Sequence, residues 1–339
     1  MRVVGTVARA VAHSGLSALL WRLRQTRKRN GRALVLVYHR VSDEPDYLSL
    51  CTPVAAFDRQ MAVLRERVRV VPLRDLVERL KDARPLQEDV AAITFDDGYR
   101  DNLETALPIL ERYGFPATVF IATGFVDGTM RPAGERLQDA FEALWQRGTA
   151  TTAWQQENRV DALVRMALGK PGSLRAVRRL RLQLKRVPEA EAERVIRDLE
   201  RLAGAQGNGR SLMLDWEGVR TLARHGIEIA SHTVSHGILS QLPLGQVEHE
   251  LRASKERLES EIGQPVLGFA FPNGHREDFT DDHITLLKRL GYAYACTTES
   301  GANQPGADLS RLRRVGVGPD SQVLDLKLAL ARPSRACVA

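Results

Sequence analysis

Seven short apolar runs, separated by longer stretches with helical spacing, set the strongest limit on what this chain can fold into. The runs are Ala33–Tyr38, Val90–Thr94, Ala117–Ile121, Ile227–Ala230, Val266–Phe271, Tyr292–Thr297 and Leu312–Val317. They are short and often β-branched, as strands are. Between and after them the spacing predicts helices at Val54–Arg67, Arg74–Lys81, Leu103–Tyr113, Trp216–His225, Gly245–Ile262, Asp281–Leu290 and Ser321–Leu330. Such alternation specifies an α/β fold with parallel strands. Seven apolar strands suit a (β/α) barrel, closed or partly open, with its reactive groups at the carboxyl ends of the strands.

The rhythm breaks once, at 127–210. Strand signals are scarce there, and helical patterns occupy Arg136–Arg147, Asp161–Leu168 and Pro188–Ala203, with Gly204–Gly209 as a flexible exit. This stretch is expected to be a helical insertion capping the mouth of the barrel, which itself takes residues 33–126 and 211–331. Residues 1–32 precede the barrel and 332–339 form a tail. With 339 residues, 43% of them hydrophobic, the chain can bury a sizeable core, and 27% charged residues argue against a membrane-embedded or disordered protein.

The net charge of +7 is unevenly spread. Arg22–Arg32 holds six basic residues and no acid, and Arg175–Lys185 is a second basic run, read either as a solvated helix face or as a contact for anionic surfaces. Val4, Val11, Leu16, Leu19 and Leu20 give residues 1–32 an amphipathic pattern with a basic end, which favours peripheral membrane contact over a spanning helix or a signal peptide. The expected location is cytoplasmic or at the membrane surface, with secretion left open. Three scattered cysteines form neither a disulfide framework nor a structural zinc pattern. No phosphate-binding glycine loop or nucleotide fingerprint is present, and no nucleic-acid partner is expected.

Two constellations carry chemistry. Thr94-Phe95-Asp96-Asp97-Gly98-Tyr99 ends the second run with adjacent carboxylates and a glycine that permits a turn. Two carboxylates this close raise one pKa unless a cation neutralises one of them. A metal on one, with the other left as a base, resolves the conflict. Ser231-His232-Thr233-Val234-Ser235-His236 follows the fourth run, and histidines four apart on a helical turn can share a metal. Two histidines and one aspartate make a three-ligand set with open positions, the pattern of a catalytic metal. Imidazole and carboxylate suit Zn2+, with Co2+, Ni2+ or Fe2+ as alternatives. Such an ion acidifies water and polarises a carbonyl, and a neighbouring carboxylate takes the proton.

These two segments, TFDDGY and SHTVSH, resemble the first two signature motifs of the NodB-type polysaccharide deacetylases, carbohydrate esterase family 4. The resemblance extends from about Ala33 to Leu330 outside the insertion, through VLVYHRVSDEP, FAFPNG and ACTTESG. It implies a distorted (β/α) barrel and hydrolysis of N-acetyl groups on the amino sugars of a polysaccharide or glycolipid. It also implies Asp96 as base and Asp97, His232 and His236 as metal ligands. The YHRV opening resembles a branch that acts in exopolysaccharide assembly. The family's third motif, Arg-x-Pro, is matched by Ala270-Phe271-Pro272-Asn273-Gly274, without its arginine. Asn273 is the candidate oxyanion donor through its backbone N–H, and Arg314 the candidate to supply the missing guanidinium. The closing Leu-x-His is also absent, and the branch places its acid histidine at His39, with His275 as a fallback. Tyr99, Pro272 and Arg314 are placed around the substrate, and Tyr99, Trp216, Phe125 and Phe271 are candidates to stack on sugar rings or to serve as core. His13, His225, His249 and His283 are expected to face solvent. Two rivals remain: a glycan-binding assembly protein without efficient catalysis, and a deacylase of a small N-acetylated metabolite.

Overall fold

A computed structural model describes residues 31–44, 50–147, 159–170, 172–204 and 212–317. Two compact units divide the chain: one takes in the segments up to Asp43, Cys51–Asp127 and Met213 onward, the other Gly128–Leu212 with Glu44 and Leu50.

In the first unit the strands are β1 (Ala33–Tyr38), β2 (Arg40–Val41), β3 (Cys51–Thr52), β4 (Arg69–Val70), β5 (Val90–Phe95), β6 (Ala117–Ile121), β7 (Glu228–Ser231), β8 (Gly268–Ala270), β9 (Tyr294–Ser300) and β10 (Leu312–Gly316). Seven of them form a parallel ring in the order β1, β10, β9, β8, β7, β6, β5, closed by the pairing of β5 with β1 from Ala33↔Val90 to Tyr38↔Phe95. The short β4 adds to the amino end of β5, and β2 and β3 pair apart from the ring. Helices α1 (Val54–Arg67), α2 (Leu73–Lys81), α3 (Leu107–Tyr113), α4 (Thr123–Val126), α9 (Trp216–Arg224), α10 (Leu244–Ile262) and α11 (Asp281–Arg289) belong to the same unit.

Strand alternation sorts the side chains into two sets. Leu34, Leu36, Ala91, Ile93, Phe95, Val119 and Phe269 point outward, into the apolar layer they share with Phe57, Met61, Leu107, Leu222, Val247, Leu251 and Leu287 of the helices. Val35, Ala92, Phe120, Ala230, Ala270, Cys296 and Leu312 point inward, and Leu73, Leu76, Val77 and Leu80 of α2 join this inner cluster. The barrel is therefore a packed core. Polar groups low in it are satisfied by one another: Tyr294 Oη donates to Glu228 Oε1 (2.7 Å) and Thr118 Oγ1 to Glu228 Oε2 (3.0 Å).

The second unit carries α5 (Ala133–Gln146), α6 (Arg159–Leu168), α7 (Leu174–Leu184) and α8 (Glu189–Ala203). Leu137, Phe141, Leu144, Val164, Val177, Leu180, Val195 and Leu199 form its own core. Arg136 ties α5 to α8 through Glu193 and Glu200. The basic run Arg175–Lys185 lies on α7, whose buried face is Ala176, Val177, Leu180 and Leu184, with Arg178 and Arg179 exposed.

Most element boundaries agree with the sequence reading to within two residues. The helix expected at Leu103–Tyr113 instead opens with a π turn at Asn102–Ala106, next to Pro108, which has no N–H to give to a regular turn. The run Val266–Phe271 yields only the three-residue β8. The expected helix at Ser321–Leu330, the tail, and all but the last two residues of the amphipathic segment 1–32 lie outside the described residues. Among the described residues no helix is long and apolar enough to cross a membrane.

Gly268 on β8 has no room for a side chain: a Cβ there would stand 2.3 Å from Tyr294 Oη and 2.5 Å from its ring carbon. The ring is buried and pinned by Glu228, so it cannot swing aside cheaply. Gly268→Ala is expected to cost about 1–3 kcal/mol in urea melting, as overpacking does.

Candidate active site

β5 delivers the first functional group by alternation alone. Val90, Ala92 and Thr94 face the interior, and Asp96, one residue past the strand, continues that face at its carboxyl end. Its N–H donates to the Tyr38 carbonyl (3.1 Å), which extends the β5–β1 ladder to this residue. The chain then turns. Asp97 has φ 77° and Gly98 φ 86°. A Cβ on Gly98 would meet Ile121 Cδ1 at 2.9 Å, so glycine serves both the dihedral and the close approach. The turn sends the two neighbouring carboxylates to different partners.

Asp96 is met by Arg314 from β10. Arg314 Nη1 donates to Asp96 Oδ1 (2.7 Å), Nη2 to Oδ2 (2.8 Å), and Nε to the Thr297 carbonyl (2.7 Å). Both residues are buried. This two-point geometry fixes the plane of the carboxylate as well as its position. Burial works to raise the Asp96 pKa, but Arg314, His232 and His39 outweigh it and hold the group below its ordinary value.

Asp97 is met by two imidazoles. Its Oδ1 lies 3.5 Å from His232 Nε2 and 3.3 Å from His236 Nε2, and the three ligand atoms are all within 4.8 Å of one another. Neither contact has hydrogen-bond geometry, and Asp97 Oδ1 is buried without a hydrogen-bond partner among the described residues. An orphaned buried carboxylate oxygen facing two ring nitrogens fits a cation better than a proton. His232 Nδ1 donates to the Ala270 carbonyl (2.7 Å), which leaves the Nε2 lone pair aimed at the cluster. Burial and the adjacent His236 push the His232 pKa down to about 4 against the pull of Asp96 and Asp97. The ring is thus neutral near pH 7, the form that binds metals. Asp97 is held well below the usual carboxylate range, with burial opposed by His236, His39 and His232.

The histidines do not meet on a helical turn as the spacing suggested. His232 follows β7 directly, and the loop beyond it has Thr233 at φ 68° and His236 at φ 60°. Asp97, Thr233, His236 and Asn273 are four of the five non-glycine residues with left-handed φ among those described. Strained backbone of this kind concentrates at functional sites. The loop is anchored on both sides: Thr123 N–H donates to the Thr233 carbonyl (3.1 Å), Gly124 N–H to the Val234 carbonyl (2.9 Å), and His236 N–H to Thr233 Oγ1 (2.9 Å). Glu250 of α10 accepts from the N–H groups of Val234 and Ser235.

His39, between β1 and β2, is half-buried and close enough for its charge to act on both Asp96 and Asp97. Asn102 Nδ2 donates to the His39 carbonyl (2.8 Å), and Asp101 takes Arg40 Nε (2.8 Å) and Val41 N–H (3.1 Å). Asn273 has φ 61°, its side chain donates to Asp278 Oδ2 (2.7 Å), and its carbonyl accepts from Thr298 Oγ1 (2.7 Å). The fallback, His275, is exposed in the same loop.

The residues placed around a substrate are corrected by their burial. Tyr99 is 1% exposed beneath the Arg40 guanidinium, and Arg314 is 1% exposed on Asp96, so neither offers a face to a sugar. Pro272 is buried and shapes the turn before Asn273. Phe271 stacks on Phe279 at 3.9 Å, and buried Phe125 lies over His236 at 6.0 Å. Trp216 is half-buried, with its Nε1 donating to Asp127. His225 and His249 are exposed as expected, but His283 is buried and caps α11 by accepting from Thr280 N–H. The sequence reading passed over Asp101, Asn102 and Glu250. Glu250 carried a usable signal, an acid beside the apolar stripe Val247, Leu251 and Leu258 of α10.

A closed parallel barrel whose strand ends gather a fixed carboxylate and an Asp-His-His cluster defines a (β/α)-barrel class with a candidate metal site. The polysaccharide deacetylase family profile matches residues 83–295, and the chain belongs to that family, the NodB-type deacetylases of carbohydrate esterase family 4, which are hydrolases of carbon–nitrogen bonds. YxkH of Bacillus subtilis (strain 168), provisionally named a polysaccharide deacetylase, is 23% identical over 287 residues, 84% of this chain and 71% of that protein. Poly-beta-1,6-N-acetyl-D-glucosamine N-deacetylase of Escherichia coli (strain K12) is 30% identical over 129 residues, 38% of this chain and 18% of that protein. Among solved structures, the Streptococcus pyogenes deacetylase PplD in complex with acetate superposes with a TM-score of 0.60 at 17% identity, covering 89% of this chain and 99% of its own. IcaB from Ammonifex degensii superposes with a TM-score of 0.58 at 20% identity, again covering 89% and 99%. These two structures share the fold.

Removing Arg314 while leaving Asp96 would strand a buried carboxylate. Arg314→Met is expected to lose about 3–5 kcal/mol of unfolding free energy. The double change Asp96→Asn with Arg314→Met should be less destabilised than the sum of the two single changes, as read from urea melting curves.

Proposed function

We propose that this chain removes N-acetyl groups from amino sugars of a polysaccharide or glycolipid, with Asp96 as the base and Asp97, His232 and His236 as ligands of a divalent metal. The observation that carries this reading is the separation of two adjacent carboxylates, Asp96 pinned by Arg314 and Asp97 turned to two imidazoles. Zn2+ suits the donor set best, and Co2+, Ni2+ or Fe2+ could occupy it. When bound, such an ion supplies polarisation of the acetyl carbonyl and acidification of the attacking water.

The remaining work falls to the chain's own groups. Asp96, held ionised and in a fixed plane, accepts the proton of the attacking water. The Asn273 N–H donates to the oxygen that gains charge as the acetyl carbon becomes tetrahedral. His39 delivers a proton to the departing amine, a task suited to imidazole near neutral pH. Arg314 acts through Asp96, in the place of the arginine absent from the Ala270–Gly274 stretch. The rival of a catalytically weak glycan binder draws on that absence and on the absent closing Leu-x-His, and the Asp96–Arg314 contact supports catalysis on the first count. The Escherichia coli relative favours a polymeric substrate over a small metabolite. The basic residues of 22–32 support contact with an anionic membrane surface.

The test is acetate release from N-acetylglucosamine oligomers and from the monomer by zinc-reconstituted protein. Release should require the metal, favour oligomers, and fall about 100- to 10,000-fold in both Asp96→Asn and His39→Asn. A protein that binds one equivalent of zinc yet releases no acetate would be a glycan-binding barrel instead.

A further inference from the structure

We infer that Glu250 is a positioning residue for the metal site, holding the backbone between His232 and His236 so that both rings converge on Asp97. The inference rests on the metal reading of that cluster.

Glu250 sits on α10, outside both signature motifs and 14 residues beyond His236. It is 5% exposed, and one carboxylate oxygen, Oε2, accepts from Val234 N–H and Ser235 N–H, each at 2.8 Å. Among the described residues no cation pairs with it. A buried carboxylate on the inner side of a helix is costly, and here two backbone N–H groups compensate it. The residues it holds are those that need holding. Thr233 is β-branched and left-handed, a conformation that persists only where the surroundings impose it. Val234 is held through both of its backbone polar groups, its N–H by Glu250 and its carbonyl by Gly124 N–H.

The two histidines differ in how they are fixed. His232 stands at the end of β7, its N–H bonded to the Ile121 carbonyl (2.8 Å) and its ring to the Ala270 carbonyl. His236 comes after the strained turn, its side chain 29% exposed, so its ring position is inherited from the backbone that Glu250 holds. Releasing Val234 and Ser235 would free the turn to relax and carry His236 away from Asp97. Glu250 thus acts on the second histidine through the backbone before it, whereas the Ala270 carbonyl holds the first directly by its ring.

The test compares zinc affinity of the full chain by competition with a chromogenic chelator in wild type, Glu250→Gln, Glu250→Asp and Glu250→Ala. Circular dichroism and urea melting of the metal-free proteins accompany it. Glutamine keeps an acceptor oxygen at the right reach, whereas aspartate keeps the charge but falls one methylene short. The expected order is wild type close to Gln, with Asp and Ala weakened about 10- to 100-fold. A role through charge alone would place Asp above Gln. Wild-type affinity in Asp and Ala, or Asp equal to wild type with Gln weakened, would overturn the inference. If Ala fails to fold, the Gln and Asp comparison decides. A wild-type protein that takes up no zinc would instead remove the metal reading, and this inference with it.

Discussion

The ion pair between Asp96 and Arg314 is the contact on which the rest of the site depends, and it exists because the barrel closes. The two residues are 218 positions apart, on strands that do not touch each other. β1 pairs with β5 on one side and β10 on the other, and that double pairing brings the guanidinium over the carboxylate. Without Arg314, the burial that works to raise the Asp96 pKa would lose the largest of the influences that oppose it. With it, the carboxylate stays ionised in the interior, and Asp97 is left to the imidazoles.

Around this pair the site is built from turns that ordinary residues adopt reluctantly. Asp97, Thr233, His236 and Asn273 all take left-handed φ, and three of the four are Asp, His or Asn, whose short polar side chains tolerate it best. The barrel supplies the counterweight: Thr233 is bonded from α4, Val234 and Ser235 from α10, and Asn273 from Asp278 and Thr298. A rigid ring of strands with strained, well-anchored ends separates stability from chemistry. The apolar layers hold the fold, and the loops hold the carboxylates and imidazoles of the candidate site.

Much of this was legible in the sequence because it is local. β1 and β6 are apolar runs whose bounds the pattern gives to the residue, and α1 likewise follows from its spacing. Asp96, Asp97, His232 and His236 stand out because each pair ends a strand. What stayed hidden depends on the third dimension. The helical-turn reading of His232 and His236 failed because spacing does not report φ, and Thr233 breaks the turn. Tyr99 looked like a sugar platform because a strand-end aromatic gives no hint of the Arg40 and Met213 neighbours that bury it. His283 looked solvent-facing because a capping imidazole has the same spacing as an exposed one. Arg314, nominated for the missing guanidinium, does meet Asp96, but its burial there takes it out of the substrate contacts where it was also placed.

Ring closure also gives the site an order of assembly. Asp97, His232 and His236 all emerge from the ribosome before Arg314, and so do the strands that carry them. The residue that keeps Asp96 charged sits on the last strand of the ring, and that strand docks against β1, the first to be made. Asp97 and both histidines are made early, yet Asp96 beside them has no guanidinium until the two ends of the barrel meet. The contact that fixes Asp96 is therefore among the last that a chain made from its amino end can form.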